Sequence, residues 1–288
     1  MYFVKTNTID FSKDSNFCIY KIDGLCPPSA ALNFSTIANV DGKVYNSGRI
    51  NERNIVLYIK INQDLNVNRT IEINRNILYS HFPVGQKVRI FYRNDLHDVY
   101  IDGYVESFEC DFFVNNEIAQ ISIICNDPYF RSLEKQSVSI SIVNNMFEFP
   151  FSIPVNESIV ISDRNYYITE KINPGLISTG IIVEFEAIGD GVLHPWLTNS
   201  TTHQTMKLSG RESVLNTGEK IIVNTNKHNL SITKILTDGT TMNILSTMDA
   251  GFQWVQLAPG DNYITCGADA YPENLVVNVS FEKLLLGV

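Results

Sequence analysis

Between Tyr100 and Phe130 the chain reads YIDGYVESFECDFFVNNEIAQISIICNDPYF, two strand-like runs joined by a polar turn and closed by an Asp-Pro step. From Glu117 to Cys125, Ile118, Gln120, Ser122 and Ile124 fall on one side of an extended chain, and Ala119, Ile121, Ile123 and Cys125 on the other. That is the period of two of a half-buried strand. The run before it, Gly103–Cys110, mixes Tyr104 and Val105 with Glu106 and Ser107. Asn115-Asn116 tolerates the left-handed backbone that a tight turn requires. Asp127-Pro128 stops the second strand, because proline has no N–H for a ladder and drives its predecessor toward extended geometry.

The rest of the chain is a succession of short strands with one helix. Thr70 to Phe82 is the helical candidate, with Ile73, Ile77 and Leu78 expected on one side and Pro83 and Gly85 ending it. Val88, Ile90 and Tyr92 alternate with Lys87, Arg89 and Phe91. The polar run Ser132–Ser137 marks the expected domain boundary. Beyond it, strand signals recur at the spacing of a sandwich or barrel, at intervals of roughly 8–12 residues, among them 158–162, 166–172 and 179–188. Turn chemistry separates them at Asn173-Pro174-Gly175, Gly189-Asp190-Gly191, Asp238-Gly239 and Pro259-Gly260-Asp261-Asn262. No convincing helix is expected in this half.

The GYVE strand at Gly103–Glu106 followed by Cys125-Asn126-Asp127-Pro128-Tyr129-Phe130 resembles the N-terminal domain of bacteriophage distal tail proteins. Upstream, Gly24-Leu25-Cys26-Pro27-Pro28, Asn46-Ser47-Gly48-Arg49, the strand Asn54–Ile61 and the segment Thr70–Pro83 extend the likeness. Downstream, Gly218–Thr225, Trp254–Asn262 and Phe281-Glu282-Lys283 continue it in the same order. The resemblance implies a mainly β protein. Residues 1–133 would form a ring-forming (belt) domain, β-rich with one short helix, and residues 134–288 a galectin-like antiparallel β-sandwich. It also implies a structural, non-enzymatic subunit of a hexameric hub ring at the distal end of a virion tail, made in the host cytoplasm. The partners implied are the tail tube protein, a tail-associated hub or lysin protein and receptor-binding or other baseplate proteins, with DNA passing through and not bound specifically.

The residues themselves are consistent with a non-catalytic role. The 288-residue chain is long enough for two domains. It contains no apolar run that would span a membrane, and its start lacks the features of a secretory signal. A net charge of -9, without a basic cluster, argues against general nucleic-acid binding. Such a charge either keeps the protein in solution or lines a passage that repels DNA. Five scattered cysteines form neither a disulfide framework nor a zinc motif, and Cys110, Cys125 and Cys266 read as buried apolar thiols. The phosphate-loop, dinucleotide, zincin and nucleophile-elbow signatures are all absent, and neither cofactor nor metal is expected.

Three groupings remain. His194, His203 and Asp190 form the nearest approach to a metal constellation and read as exposed loop residues. Glu184 and Glu186 share the outer face of a strand whose inner face is Val183, Phe185 and Ala187. Trp196, in the polar stretch HPWLTNSTTHQ, is the candidate for contact with a ligand or partner, whereas Trp254 is expected in the core. An exposed indole on a sandwich suits sugar stacking. The alternative reading is therefore a carbohydrate-binding β-sandwich module of a tail or cell-surface adhesion device.

Overall fold

The computed structural model describes residues 3–11, 16–62, 70–112, 114, 117–140, 142–145, 162–165 and 170–288, with backbone alone at 142–145, 162–165 and Glu170. The expected turn at Asn115-Asn116 and the strand signals at 158–161 and 166–169 lie outside the described residues. Contacts divide the chain into two compact units, Met1–Glu134 with Leu285–Val288, and Lys135–Leu284.

In the first unit, the strands are β1 (Phe3–Thr6), β2 (Phe17–Asp23), β3 (Ala30–Ser35), β4 (Val44–Ile50), β5 (Arg53–Ile61), β6 (Lys87–Arg93), β7 (Asp98–Cys110) and β8 (Ile118–Cys125). Strand β9 (Phe130–Ser139) begins there. The main sheet is antiparallel throughout, in the order β1-β6-β7-β8-β5-β2, while β3 and β4 pair with each other. Ala119, Ile121, Ile123 and Cys125 of β8 and Ile55, Leu57, Ile59 and Ile61 of β5 are buried on one face, as the alternation predicts. A bulge between Val105 and Ser107 bends the long strand β7. At Gly103 an added Cβ would meet Ile123 Cγ2 at 2.6 Å and Cys125 Sγ at 2.8 Å, so glycine permits the close approach of β7 to β8.

The helix, α1, spans Ile71–His81, and the Thr70 hydroxyl accepts from the Ile73 N–H at its start. Its buried positions are Asn74 and Leu78, one turn apart. Ile73, expected on the inner side, is exposed, because the Asn74–Leu78 pair sets the phase and Asn74 Nδ2 donates to Asn62 O at 2.7 Å. The polar run Ser132–Ser137, within which the division between the two units falls, is part of β9, whose side chains are largely exposed. A solvated strand has no need of the apolar stripe by which strands are recognised.

The second unit contains β10 (Ile142–Asn145), β11 (Ser162–Asn165), β12 (Glu170–Ile172), β13 (Thr179–Gly180), β14 (Ile182–Ala187), β15 (Trp196–Asn199) and β16 (Gln204–Lys207). It continues with β17 (Lys220–Asn224), β18 (Ser231–Ile235), β19 (Thr241–Asn243), β20 (Gln256–Leu257), β21 (Asn262–Gly267) and β22 (Leu275–Leu285). One antiparallel sheet runs β19-β18-β17-β14-β22 and a second runs β12-β21-β15-β16. Val183, Phe185, Ile221, Val223, Val277 and Val279 from the first sheet share one core with Leu197, Met206, Ile264 and Cys266 from the second. This is a β-sandwich. Three short 3-10 turns, at Arg211–Ser213, Leu245–Thr247 and Pro272–Asn274, are its helical content among the described residues.

The Pro259-Gly260 turn is fixed from within. Asn262, fully buried, accepts from the Ala258 N–H at 2.8 Å and donates to Ala258 O at 2.7 Å. The amide of buried Asn199 donates to Asn262 Oδ1 at 2.9 Å and to Gln256 O at 2.9 Å. Buried amides matched in this way specify one loop geometry.

Candidate interaction surface: the exposed hairpin arm

The β3–β4 hairpin is anchored at a root made of backbone and one arginine. Gly24 follows β2 with φ +90°, and an added Cβ there would lie 2.1 Å from Asn54 O, so no side chain fits. Arg53, at the start of β5, is 2% exposed. Its Nε donates to Pro128 O at 2.8 Å and its Nη1 to Cys26 O at 2.7 Å. Nη1 also donates to Gly24 O and Nη2 to Leu286 O, while the guanidinium lies over the Phe130 ring at 4.5 Å. The planar fork thus satisfies four carbonyls from three separate segments, which a lysine could not do. Pro27-Pro28 stiffens the path from this root into β3.

Beyond the root, every residue of β3 and all but Ile50 of β4 are exposed. The hairpin is nonetheless amphipathic. Leu32 pairs with Gly48 and Phe34 with Tyr45 across the ladder, and an added Cβ on Gly48 would meet Tyr45 Oη and Leu32 Cδ2. Leu32, Phe34 and Tyr45 therefore cover one face, with the Phe34 and Tyr45 rings 6.0 Å apart, edge to face. Asn33, Ser35 and Ser47 take the other face together with Val44, the partner of Ser35. The tip adds Ile37 and Val40, which are 51% and 59% exposed. A two-stranded ribbon is marginal by itself in water, and an uncovered apolar face of this kind marks an interaction surface.

A second feature of the first unit is an open groove of about 550 Å³ between β1 and β2, the two outer strands of the main sheet. Phe3, Val4 and Phe11 line it on one side and Phe17, Ile19 and Ile22 on the other, with exposed Cys18 among its lining residues. Among the described residues β2 pairs in the sheet only with β5.

The residues singled out from sequence fall elsewhere. Trp196 begins β15 rather than lying in a loop, is half-buried, and its indole covers Gly267, where an added Cβ would meet Cζ2 at 2.7 Å. Its polar neighbours in sequence come from the outward positions and the turn around it. Trp254, expected in a core strand, precedes β20 and is half-buried, packing against the core of the second unit together with Phe252, the rings 5.1 Å apart. His194 does not approach Asp190. Its Nδ1 lies 3.1 Å from Asp269 Oδ2, Lys207 Nζ is 2.8 Å from Asp269 Oδ1, and Asp190 instead accepts from the Thr217 N–H and hydroxyl. His203 is exposed, and no group of three metal-ligating side chains occurs among the described residues. Glu184 and Glu186 do share an outer face, but both pair with Lys220, at 2.7 and 3.2 Å, and its hydrogen bond to Glu184 raises the lysine pKa. Cys125 and Cys266 are buried as expected, and burial pushes each thiol pKa up to about 12. Cys110 is only partly buried.

The sequence does not single out the hairpin arm, although Leu32 and Phe34 carry strand alternation. Nothing local distinguishes apolar residues that will be covered by their own chain from those that will not.

Residues 5–125 match the phage tail protein RIFT-related domain family. No curated protein matches the sequence. Among solved structures, the Dit protein of phage SPP1 has a TM-score of 0.69 at 14% identity, over 99% of each chain. Chains of the phage p2 baseplate in its activated conformation, with Ca and with Sr, have TM-scores of 0.57 and 0.56 at 10% identity, over the full length of both chains. At these identities the likeness is one of fold. Joined to the match of residues 5–125 to the phage tail protein RIFT-related domain family, it gives this chain, along its length, the fold seen in the SPP1 Dit protein.

Proposed function

We propose that the chain is a structural subunit of the hub ring at the distal end of a phage tail. The first unit would form the belt, joining the tail tube to the tail-associated hub. The second would carry receptor-binding or other baseplate proteins. The observation that supports this most is the amphipathic β3–β4 hairpin, whose apolar face one copy leaves uncovered. A ring closes through heterologous contacts, in which each copy offers two different complementary surfaces. A projecting arm and a recessed groove are such a pair. A net charge of -9 suits a passage for DNA, because like charge within a Debye length of about 8–10 Å keeps a polyanion from adhering. In the second unit, Trp196 on the outer face of the β12-β21-β15-β16 sheet is the residue we assign to partner or sugar contact.

Light scattering on a gel-filtration column, with negative-stain imaging of the peak, tests the assembly. The expected mass is that of a ring of about six copies of the 32.5 kDa chain, with a central hole. A monomer that persists at high micromolar concentration, alone and with tail tube protein added, counts against it.

A further inference from the structure

We infer that Leu285–Val288 is a strap that closes the root of the β3–β4 arm, and that strand β22 delivers it there. The arm then takes its fixed direction only in a chain whose sandwich has folded.

The strap is held along its length. Arg53 Nη2 donates to Leu286 O, a partner 233 positions away in the chain. Nη1 of the same side chain donates to Gly24 O and, at 2.7 Å, to Cys26 O. One guanidinium therefore ties the strap to the segment that leads into β3. The Val288 N–H donates to Leu25 O at 3.2 Å. Gly287 lies against Pro27, where an added Cβ would meet Pro27 Cδ at 2.9 Å and Leu25 O at 3.3 Å. Leu285 and Val288 pack, with Leu25, on the buried core of the first unit. The arm adds little to its own placement, since every residue of β3 is exposed and a two-stranded ribbon is marginal alone in water.

The origin of the strap makes it conditional. Strand β22 buries Leu275, Val277, Val279 and Phe281 in the sandwich core, and its ladder with β14 runs from Leu275 to Ser280. From Leu285 onward the chain belongs to the first unit. While the sandwich is folded, the strap starts from a fixed end, and seating it orders only its own short length. With the sandwich unfolded, the same contacts must close a loop of ~150 residues, Lys135–Leu284, whose ends meet on the order of a thousandfold less often. The few hydrogen bonds and two half-buried apolar side chains of the strap do not withstand that fall in effective concentration. The arm root thus reads the folded state of the second unit. A loose arm incurs an ordering cost on binding that a strapped arm does not, so the arm engages its partner fully only once the sandwich is complete. This use in assembly rests on the ring reading; the strap itself does not.

Hydrogen exchange followed by mass spectrometry on the full chain tests it. The reporter is the base of the arm, where Ala30 pairs with Ile50 and the Asn51 N–H donates to Ser29 O at 3.0 Å. The reference is β5 from Ile55 to Ile61, whose protection shows the first unit folded. In Gly287→Val the arm base should exchange about tenfold faster or more, with β5 protection and indole fluorescence unchanged. In Phe185→Ala, which removes a buried ring across the ladder from Val277, urea that shifts the indole fluorescence should release the arm base while β5 stays protected. An arm base that keeps its protection in either variant overturns the inference. Loss of β5 protection in the same transition also overturns it, because the sandwich would then support the whole first unit and not the arm root. Light scattering reads the assembly role separately. A smaller mass for Gly287→Val than for a ring-forming parent is expected, and an intact ring in that variant removes the role. A monomeric parent sinks the ring reading while the exchange result stands.

Discussion

Replacing Arg53 with methionine should cost the first unit about 3–5 kcal/mol. The side chain is 2% exposed and its fork serves the carbonyls of Gly24, Cys26, Pro128 and Leu286. Hydrogen bonds to a charged group contribute about 1.5–3 kcal/mol each, and a carbonyl left buried without a donor forfeits its hydration as well. The four contributions do not add, because removing the guanidinium also removes the cost of having desolvated it, and methionine retains the packing on Phe130. The resulting range is that for breaking a buried charged arrangement, about 3–5 kcal/mol. With a urea dependence of about 2 kcal/mol/M, the midpoint of the first unit should fall by about 2 M. Both tryptophans, Trp196 and Trp254, belong to the second unit. Indole fluorescence therefore follows that unit, and ellipticity lost before the fluorescence changes follows the first. Arg53→Lys keeps the charge but not the fork, and should lose at least half as much. A loss below about 1 kcal/mol for Arg53→Met would refute the clamp, since an exposed surface arginine would do as little.

Gly24→Ala should destabilise the same root, because a Cβ would lie 2.1 Å from Asn54 O on a backbone at φ +90°; limited proteolysis within residues 24–50 should accelerate, and unchanged cleavage would contradict the assignment. At pH 8 a thiol with a pKa of about 12 is ionised on the order of once in ten thousand molecules, so native Cys125 and Cys266 should resist maleimide while Cys18 and Cys26 react, as read by mass spectrometry of labelled peptides. Burial raises the Asp102 pKa, but the hydrogen bonds and charges of Arg89 and Lys87 outweigh it and hold the carboxyl below its ordinary value. A depressed folded pKa contributes stability that is present above the unfolded value of about 3.9 and lost as pH falls through the folded one. Asp102→Asn should therefore flatten the acid limb below about pH 4, by less than about 1 kcal/mol because Arg89 and Lys87 are partly exposed; an unchanged limb would disprove the linkage.

Much of the mainly β fold was legible in the sequence, and for a physical reason. In β8 the inward Ala119, Ile121, Ile123 and Cys125 announce themselves because a strand one-sidedly buried must alternate. Helix α1 is bounded by Thr70, whose hydroxyl accepts from the Ile73 N–H, and by Pro83, which cannot continue it. Val183, Phe185 and Ala187 against Glu184 and Glu186 follow the same rule in β14. These are short-range constraints, carried by residues two to four positions apart. What the tertiary structure alone decided depends on segments far apart in the chain. The carbonyls gathered by Arg53 come from positions 24, 26, 128 and 286, which no local pattern connects. Trp196 sits in a strand because Gly267, across the ladder, leaves room for its indole. The polar run 132–137 is a strand because neighbouring strands supply its partners, not because its own pattern asks for one. Leu32, Phe34 and Tyr45 carry the same alternation as a core strand, yet they face water, since burial depends on what distant segments bring to cover them, and the described residues bring nothing.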